Sequence, residues 1–233
     1  MADQLYLSLW FPNFRFEALP TALVSVLHQL ARISGSPETQ RVAAASVYPI
    51  SFTEAPTYQR IYVTDDRAED TAHSLIENAV AEATEQLHDD MAYEFEMRWN
   101  LWSPEITPTP SDTRLDPLWK LQPSTVRLLG FGPTFDDATF EQNGHIRIDF
   151  GLDTPWIFDD VAFEDLPTDQ ATTDQATTDL KALAQKRIQQ NIEMLLAFTL
   201  SVEKNCGISS RLLWTESGEP LAEKLIARLQ RLT

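Results

Sequence analysis

Hydrophobic residues in the first hundred positions follow the period of a strand in some segments and the period of a helix in others. Leu5, Leu7 and Leu9 occupy every second position of residues 4–10, which predicts a strand with one buried face. Apolar spacings of three and four predict helices over residues 16–33 and about 69–87. Strands are predicted at residues 42–50, 58–63 and 91–102, and the last of these alternates over twelve positions. The predicted order is therefore βαββαβ.

This order predicts an α+β protein in which residues 1–104 form a ferredoxin-like βαββαβ unit, with both helices on one face of an antiparallel sheet. The other face of that sheet is expected to carry Tyr6, Trp10, Glu94, Glu96, Arg98 and Trp102. Docking of the second half of the chain onto these side chains is favoured over exposure, because large aromatic residues seldom stay exposed in quantity. The unit by itself indicates no function, since many unrelated proteins use it.

Prolines mark the expected domain boundary. Pro104, Pro108 and Pro110 predict that residues 105–123 form an extended Pro-rich linker. Residues 124–233 are then predicted to form a smaller α+β domain, with a β-hairpin from strands at 125–131 and 145–150, a long helix from about residue 180 and a last helix from about residue 220. A five-residue repeat at 168–177 lies in a predicted acidic loop over residues 151–179, and it is expected to be solvated because it has almost nothing to bury.

Negative charge is concentrated in one stretch of the chain. Residues 136–179 contain twelve carboxylates and one base, Arg147, so this stretch carries a formal charge of −11 out of −17 for the whole protein. Such a charge argues against nucleic acid and anionic membranes as partners, because phosphate binding depends on Lys and Arg. It favours a basic protein partner. No apolar run is long enough to cross a membrane, and Asp3 stands where a secretory signal would carry bases, so we expect a cytoplasmic protein.

Clustered aspartates are the best candidates for chemistry. Oxygen ligands suit Mg²⁺ and Ca²⁺, and the candidate metal ligands are Asp136, Asp137, Asp149 and Asp153. Their spacing matches no known metal motif. The single cysteine, Cys206, excludes a Cys-rich zinc site, and His145 near Asp149 is the one histidine–carboxylate pair worth testing. Because no nucleotide or nucleophile motif accompanies them, we expect no cofactor and favour a role without catalysis.

The leading hypothesis is a non-catalytic acidic protein-binding module for a basic protein partner, such as an immunity-type inhibitor or an adaptor. Its candidate partner-binding residues are Asp136, Asp137, Asp153, Trp156, Asp159 and Asp160. Trp156 is included because it lies on a predicted loop, where an aromatic residue can anchor a contact. Two alternatives stay open. One is a small divalent-metal-assisted hydrolase or transferase that uses the clustered aspartates, and the other is a structural subunit of a larger assembly.

Overall fold

Seven strands and four α-helices form within the described part of the chain. The structure is a computed structural model, and it describes residues 3–34, 40–62, 72–105, 118–137, 139–156 and 173–217. The strands are β1 (Gln4–Trp10), β2 (Ala44–Pro49), β3 (Tyr58–Ile61), β4 (Met91–Glu105), β5 (Leu118–Phe131), β6 (Ile146–Leu152) and β7 (Ser210–Thr215). The α-helices are α1 (Leu19–Ser34), α2 (Ala72–Ala83), α3 (Thr139–Asn143) and α4 (Thr173–Asn205). The predicted α+β class is confirmed.

The strands belong to one antiparallel sheet in the order β3-β2-β4-β5-β6-β1-β7. The two longest strands, β4 and β5, pair along their length from Ala92 opposite Phe131 to Glu105 opposite Leu118. β1 lies between β6 and β7, with Leu7 opposite both Ile148 and Leu213. The first strand of the chain is therefore held by the last two described strands.

The ferredoxin-like unit predicted for residues 1–104 is not confirmed. In that unit the first four strands would pair with one another, but β1 pairs with β6 and β7 instead. The physical reason is that β4 has no free edge for it along Ala92–Glu96, because β2 occupies one edge and β5 occupies the other. Alternation along β1 indicates a strand and its buried face, but not its neighbours.

The predicted boundary at residue 104 does not divide the sheet. β1 from before it lies between β6 and β7 from after it. The main hydrophobic cluster contains Leu5 and Phe95 from one side and Ile148 and Phe198 from the other. Residues 106–117, most of the predicted linker, lie outside the described residues. β5 begins at Leu118, earlier than the strand predicted at 125–131, and so includes the end of that linker. The division into two folding units stays a prediction.

One face of the sheet carries the main core. Alternate residues of β1, β4 and β6 are fully buried there, and α1 contributes Leu19, Leu23, Val26, Leu27 and Leu30. Phe198 of α4 packs edge-on against Trp99 and Phe150, with ring centroids 5.5 and 6.0 Å apart. Helices α1, α2 and α4 thus lie on the same face, as the burial pattern of their apolar stripes requires.

The repeat region is only partly as predicted. α4 begins at Thr173, so the second copy of the five-residue repeat is helical rather than a solvated loop. Thr and Asp have low helix propensity, so the helix extends through these residues by propagation from the segment beyond residue 183, where each added residue gains a backbone hydrogen bond. The first copy, the rest of the predicted acidic loop at 157–172 and the predicted last helix lie outside the described residues. Among the described helices, none combines the length and apolar character needed to cross a membrane.

Candidate functional site: a groove on the open sheet face

The sheet face opposite α1, α2 and α4, here called the open face, carries polar, charged and aromatic side chains. Because side chains alternate along a strand, these residues interleave with the buried ones of β1, β2, β4, β5, β6 and β7. The members that the structure brings together are Tyr6, Ser8, Ser46, Tyr48, Glu94, Glu96, Arg98, Arg127, Leu129, Phe131, Arg147, Asp149 and Trp214. The predicted shared face is confirmed for Tyr6, Glu94, Glu96 and Arg98.

A groove of about 490 Å³ runs across this face over β2, β4, β5 and β6. Its charged lining consists of three arginines and three carboxylates: Arg98, Arg127, Arg147, Glu94, Glu96 and Asp149. Register places five of these six side chains, all except Arg98, in two rows across the strands. In one row Ser46, Glu94, Leu129 and Arg147 lie side by side, and in the next Ala44, Glu96, Arg127 and Asp149 do so.

The charged groups of the second row contact one another. Arg127 Nε donates a hydrogen bond to Glu96 Oε1 at 3.1 Å, and Arg127 Nη1 lies 3.9 Å from Asp149 Oδ2. The other oxygen of Asp149 accepts hydrogen bonds from Gln4 Nε2 at 2.7 Å and from the backbone N–H of Gly151 at 2.8 Å. These charged groups therefore hold one another in place across β4, β5 and β6.

Arg147 in the first row is held differently. Its guanidinium carbon lies 5.2 Å from the ring centroid of Tyr6 and 5.1 Å from that of Phe131, within cation–π range of both rings. Its Nε atom is buried, and the guanidinium has neither a hydrogen bond nor an ion pair with any described residue. Burial lowers the pKa of Arg147, although the nearby charges of Tyr6, Asp149 and other acids oppose that shift.

Glu94 is the acidic counterpart of Arg147 in the same row. It is half-buried, and burial raises the pKa of its carboxyl, partly opposed by the charge of Arg127. Within the described ranges no hydrogen bond or ion pair reaches this carboxyl. Only Leu129 separates Glu94 from Arg147 in the row, so their backbones are two strand spacings apart, roughly 10 Å. Among the described residues, neither the carboxylate of Glu94 nor the guanidinium of Arg147 has an ion-pair partner.

Aromatic side chains close one end of the groove. Phe52, from the loop between β2 and β3, packs edge-on against Tyr48, Phe131 and Phe135. The loop that contains Phe135 is attached to the loop after β2 by a hydrogen bond from the Asp136 N–H to the Ile50 carbonyl, at 2.8 Å. This aromatic cluster fixes the two loops beside the charged rows.

Two of the predicted partner-binding residues lie at this end of the open face. Asp136 and Asp137 are exposed, and both have positive φ angles, 46° and 53°. Aspartate tolerates this left-handed conformation better than most residues, because its short side chain can bond locally. The charge of Asp136 acts on Arg147, which places the two residues in the same electrostatic environment.

The other predicted partner-binding residues are not brought to the groove. Asp153 is 3% exposed, and its Oδ1 accepts a hydrogen bond from the Asp3 N–H at 3.0 Å. Trp156 is fully buried and packs edge-on against Phe150. Its short 3₁₀ turn directs the ring into the core, so the side chain has no exposed surface for a partner. Asp159 and Asp160 lie outside the described residues.

The predicted metal ligands are dispersed among different roles. Asp149 is bonded within the groove, Asp153 holds the chain near Asp3, and Asp136 and Asp137 face solvent in their loop. In the part of the chain that the structure describes, no group of three or more His, Cys, Asp or Glu residues is arranged to hold a metal ion.

His145 is engaged in packing and backbone hydrogen bonding. Its Nδ1 accepts a hydrogen bond from the Phe11 N–H at 3.0 Å, and its ring stacks against Phe14 and Phe140 with centroids 4.1 and 5.6 Å away. Burial lowers the pKa of His145, which favours the neutral ring that this acceptor role requires. The oxygens of Asp149, its suggested partner, are bonded elsewhere.

Sequence reasoning missed Arg127 and Arg147 as site residues. The available signal was the alternation of Arg147 and Asp149 with buried residues along β6, together with the isolation of Arg147 in an acidic stretch. That signal identifies a face but not the strands beside it.

No protein-family model matches the chain, and neither a curated protein nor a solved structure matches it.

Proposed function

We propose that this protein is a non-catalytic binding protein whose groove takes up a segment of a basic protein partner, in the manner of an immunity-type inhibitor or an acidic adaptor. The observation that carries the proposal is Glu94. A half-buried carboxylate without a partner among the described residues is costly, because the protein removes part of its hydration and returns no hydrogen bond. A lysine or arginine side chain from a partner would supply the missing interaction.

The charge of the whole protein supports the same partner. A formal charge of −17 creates an attractive field for cationic proteins, and such fields raise association rates more than they raise affinity. Asp136 and Asp137 at the aromatic end are exposed, so they can contribute to the encounter without first breaking internal bonds. The buried Asp153 and Trp156 are no longer included in the proposed surface.

The arrangement of charges in the groove supports a specific site for one cation, in addition to the general attraction that the net charge provides. Arg127 pairs with Glu96 and approaches Asp149, so Glu94 is the carboxylate of the groove that no cation of the described residues contacts. A basic side chain placed there would also lie beside Ser46 and Leu129, which flank Glu94 in its row. The metal-assisted enzyme and the structural subunit remain predictions that no observation on the described residues favours.

The experiment is a chemical-shift titration of the ¹⁵N-labelled full chain with an octalysine peptide. We expect saturable shifts at Ser46, Glu94 and Leu129, weakened at higher salt. Glu94→Gln should reduce the affinity by roughly fivefold, equivalent to about 1 kcal/mol. Glu85→Gln is the matched control, because Glu85 is exposed beyond the end of α2 and its loss changes the net charge equally.

Two results would contradict the proposal. One is a shift pattern that avoids the groove and falls on other acidic surfaces. The other is equal weakening by Glu94→Gln and Glu85→Gln, which would mean that the peptide responds to net charge alone. If the proposal is right, a basic protein recovered from the native cell should compete with octalysine for the groove, and its affinity should fall in the Glu94→Gln variant.

A further inference from the structure

We propose that Arg147 anchors a carboxylate-binding subsite in the groove, so that the segment bound there carries a carboxylate as well as a basic group. The inference rests on the proposed function for its cationic half and goes beyond it for its anionic half. The protein carries a net charge of −17, yet Arg147 forms no ion pair with any described residue, and this missing partner is the observation to be explained.

The surroundings of the guanidinium support this role. The rings of Tyr6 and Phe131 lie within cation–π distance and restrict its orientation, while the Nε–H is removed from water and receives no acceptor from the described residues. A buried donor without an acceptor costs about 1–3 kcal/mol. Arg147 also lines the groove, so a carboxylate bound there would approach the guanidinium from the groove side. Tyr6 is itself fixed by Trp214, whose ring centroid lies 4.6 Å away.

The acidic side chains near Arg147 do not provide its guanidinium with a hydrogen-bond acceptor. Asp149, opposite Tyr6 and beside Arg147 on β6, uses its oxygens on Gln4, Gly151 and Arg127. Glu94 lies two strands away across Leu129. These carboxylates act on Arg147 through space, as does Asp136, without forming an ion pair.

The negative charge of the same acidic side chains favours a carboxylate over a phosphate as the anion bound at Arg147. A phosphate group carries close to two negative charges at neutral pH and would be repelled by Glu94, Asp136 and Asp149 together. A carboxylate carries one, and its two oxygens match the planar donor edge of a guanidinium. With Glu94 roughly 10 Å away, a short peptide that carries one basic and one acidic group satisfies both ends of the row.

The test follows the Arg147 Nε–Hε resonance of the full chain, assigned by its loss in Arg147→Lys. Three capped or partly capped peptides serve as probes: acetyl-Lys-Gly-Glu-amide, acetyl-Lys-Gly-Gly with a free carboxyl terminus, and acetyl-Lys-Gly-Gln-amide as the neutral control. We expect one or both carboxylate peptides to shift the resonance saturably and to bind roughly tenfold more tightly than the control. Comparison of the first two distinguishes a side-chain carboxylate from a chain terminus.

Arg147→Lys keeps the charge but removes the planar donor edge, and it should reduce the tenfold preference to about twofold or less. Tyr6→Leu, which leaves Arg147 in place but removes one ring, should weaken the preference without abolishing it. The titration of the wild-type protein is informative even if either variant folds poorly. Inorganic phosphate should bind more weakly than the carboxylate peptides.

An absent or equal response to all three peptides would overturn the subsite, and so would tighter binding of phosphate. Failure of this inference is distinguishable from failure of the proposed function. If the neutral lysine peptide maps to the groove and loses affinity in Glu94→Gln, the cationic half stands while the carboxylate half is wrong. If no lysine peptide maps there, the proposed function is wrong.

Discussion

Asn191 of α4 forms two reciprocal hydrogen bonds with the backbone of Trp102 in β4. Its Oδ1 accepts from the Trp102 N–H and its Nδ2 donates to the Trp102 carbonyl, both at 2.9 Å. Nδ2 also donates to the Pro155 carbonyl at 2.8 Å. β2 pairs with β4 only as far as Glu96, so the amide provides backbone partners on a stretch of the β4 edge that β2 does not reach. One buried side chain thus connects the long helix, the longest strand and the turn after β6.

Replacement of Asn191 by alanine should therefore be strongly destabilising. It removes three hydrogen bonds and leaves backbone groups at Trp102 and Pro155 without their partners, at an expected cost of about 2–4 kcal/mol in the free energy of unfolding. Urea denaturation measures this difference. Gln189→Ala, at an exposed position of the same helix, is the control and should change stability by less than about 0.5 kcal/mol. Equal effects of the two substitutions would contradict the assigned role.

Phe198 should be a second major contributor to stability. It is fully buried, and its ring meets those of Trp99 and Phe150 edge-on. Phe198→Ala leaves a cavity between the helix and the sheet and should cost about 3–5 kcal/mol. Leu200→Ala lies two positions away at a side chain that is 59% exposed, and it should cost well under 1 kcal/mol. Thermal and urea unfolding of both variants check the contrast, and a mild effect at Phe198 would refute it.

The pairing of β1 leads to a prediction about fragments. A chain that ends at residue 104 retains β1 but loses β6 and β7, the strands on both of its edges. Leu5, Leu7 and Leu9 would then have no sheet neighbours, so we expect this fragment to lack a cooperative unfolding transition. Calorimetry and amide dispersion in an NMR spectrum provide the measurement. A well-dispersed spectrum with a sharp transition would instead support the separate domain predicted from the sequence.

Alternation made the faces of the strands predictable. Along β4 the buried Tyr93, Phe95, Met97 and Trp99 interleave with open-face residues as the sequence indicates. This information is local, because it depends only on the two-residue period of one strand. It was sufficient to place Glu94, Glu96 and Arg98 on one surface.

Pairing between strands was not predictable in the same way. The groove depends on β5 pairing with β4 and on β6 pairing with β5, and neither pairing follows from any one strand's own pattern. Arg147 becomes a site residue only through Tyr6 and Phe131, which lie 141 and 16 positions away along the chain. Trp156 was misplaced for a related reason. Its sequence neighbours, aspartate and proline, indicate a loop, but they do not show that the indole is buried in the core.

Gly132 should be intolerant of any side chain. It donates a hydrogen bond from its N–H to the Met91 carbonyl at 2.8 Å, and a Cβ there would lie 2.6 Å from the carbonyl carbon of Asp89 and 2.9 Å from the Met91 oxygen. These neighbours are backbone atoms, so relief requires the loop after β5 to move away from β4. Gly132→Ala should cost about 3 kcal/mol or slightly more.

Gly130→Ala is the control for that substitution. A Cβ at Gly130 would meet the flexible ends of the Leu19 and Leu23 side chains at 2.9 and 3.0 Å, and these can give way by rotation. Its cost should therefore be the smaller of the two, about 1–2 kcal/mol. Urea denaturation midpoints of the two variants show which substitution costs more stability. A larger loss of stability for Gly130→Ala would contradict the claim that backbone atoms crowd Gly132.

The free energy of unfolding should depend on pH through Glu94, and the sign of that dependence distinguishes a carboxyl with a stabilising partner from one without. Burial raises the pKa of Glu94 in the folded protein, so the folded state holds this proton more tightly than the unfolded chain does. As the pH rises from the ordinary glutamate pKa to the raised folded value, the unfolded chain releases its proton first, and the stability contributed by protonated Glu94 is lost. Glu94→Gln should match the wild type near pH 4 and exceed it at pH 7.

The excess should stay below about 1 kcal/mol, because water still reaches part of the Glu94 side chain and screens its charge. Urea denaturation at both pH values measures it, with Glu85→Gln as the exposed control that should show no comparable gain. If Glu94→Gln were instead less stable than the wild type at pH 7, the carboxylate would have a stabilising partner within the chain. Glu94 would then no longer be open to a cation from outside, and the binding role proposed for the groove would lose its central support.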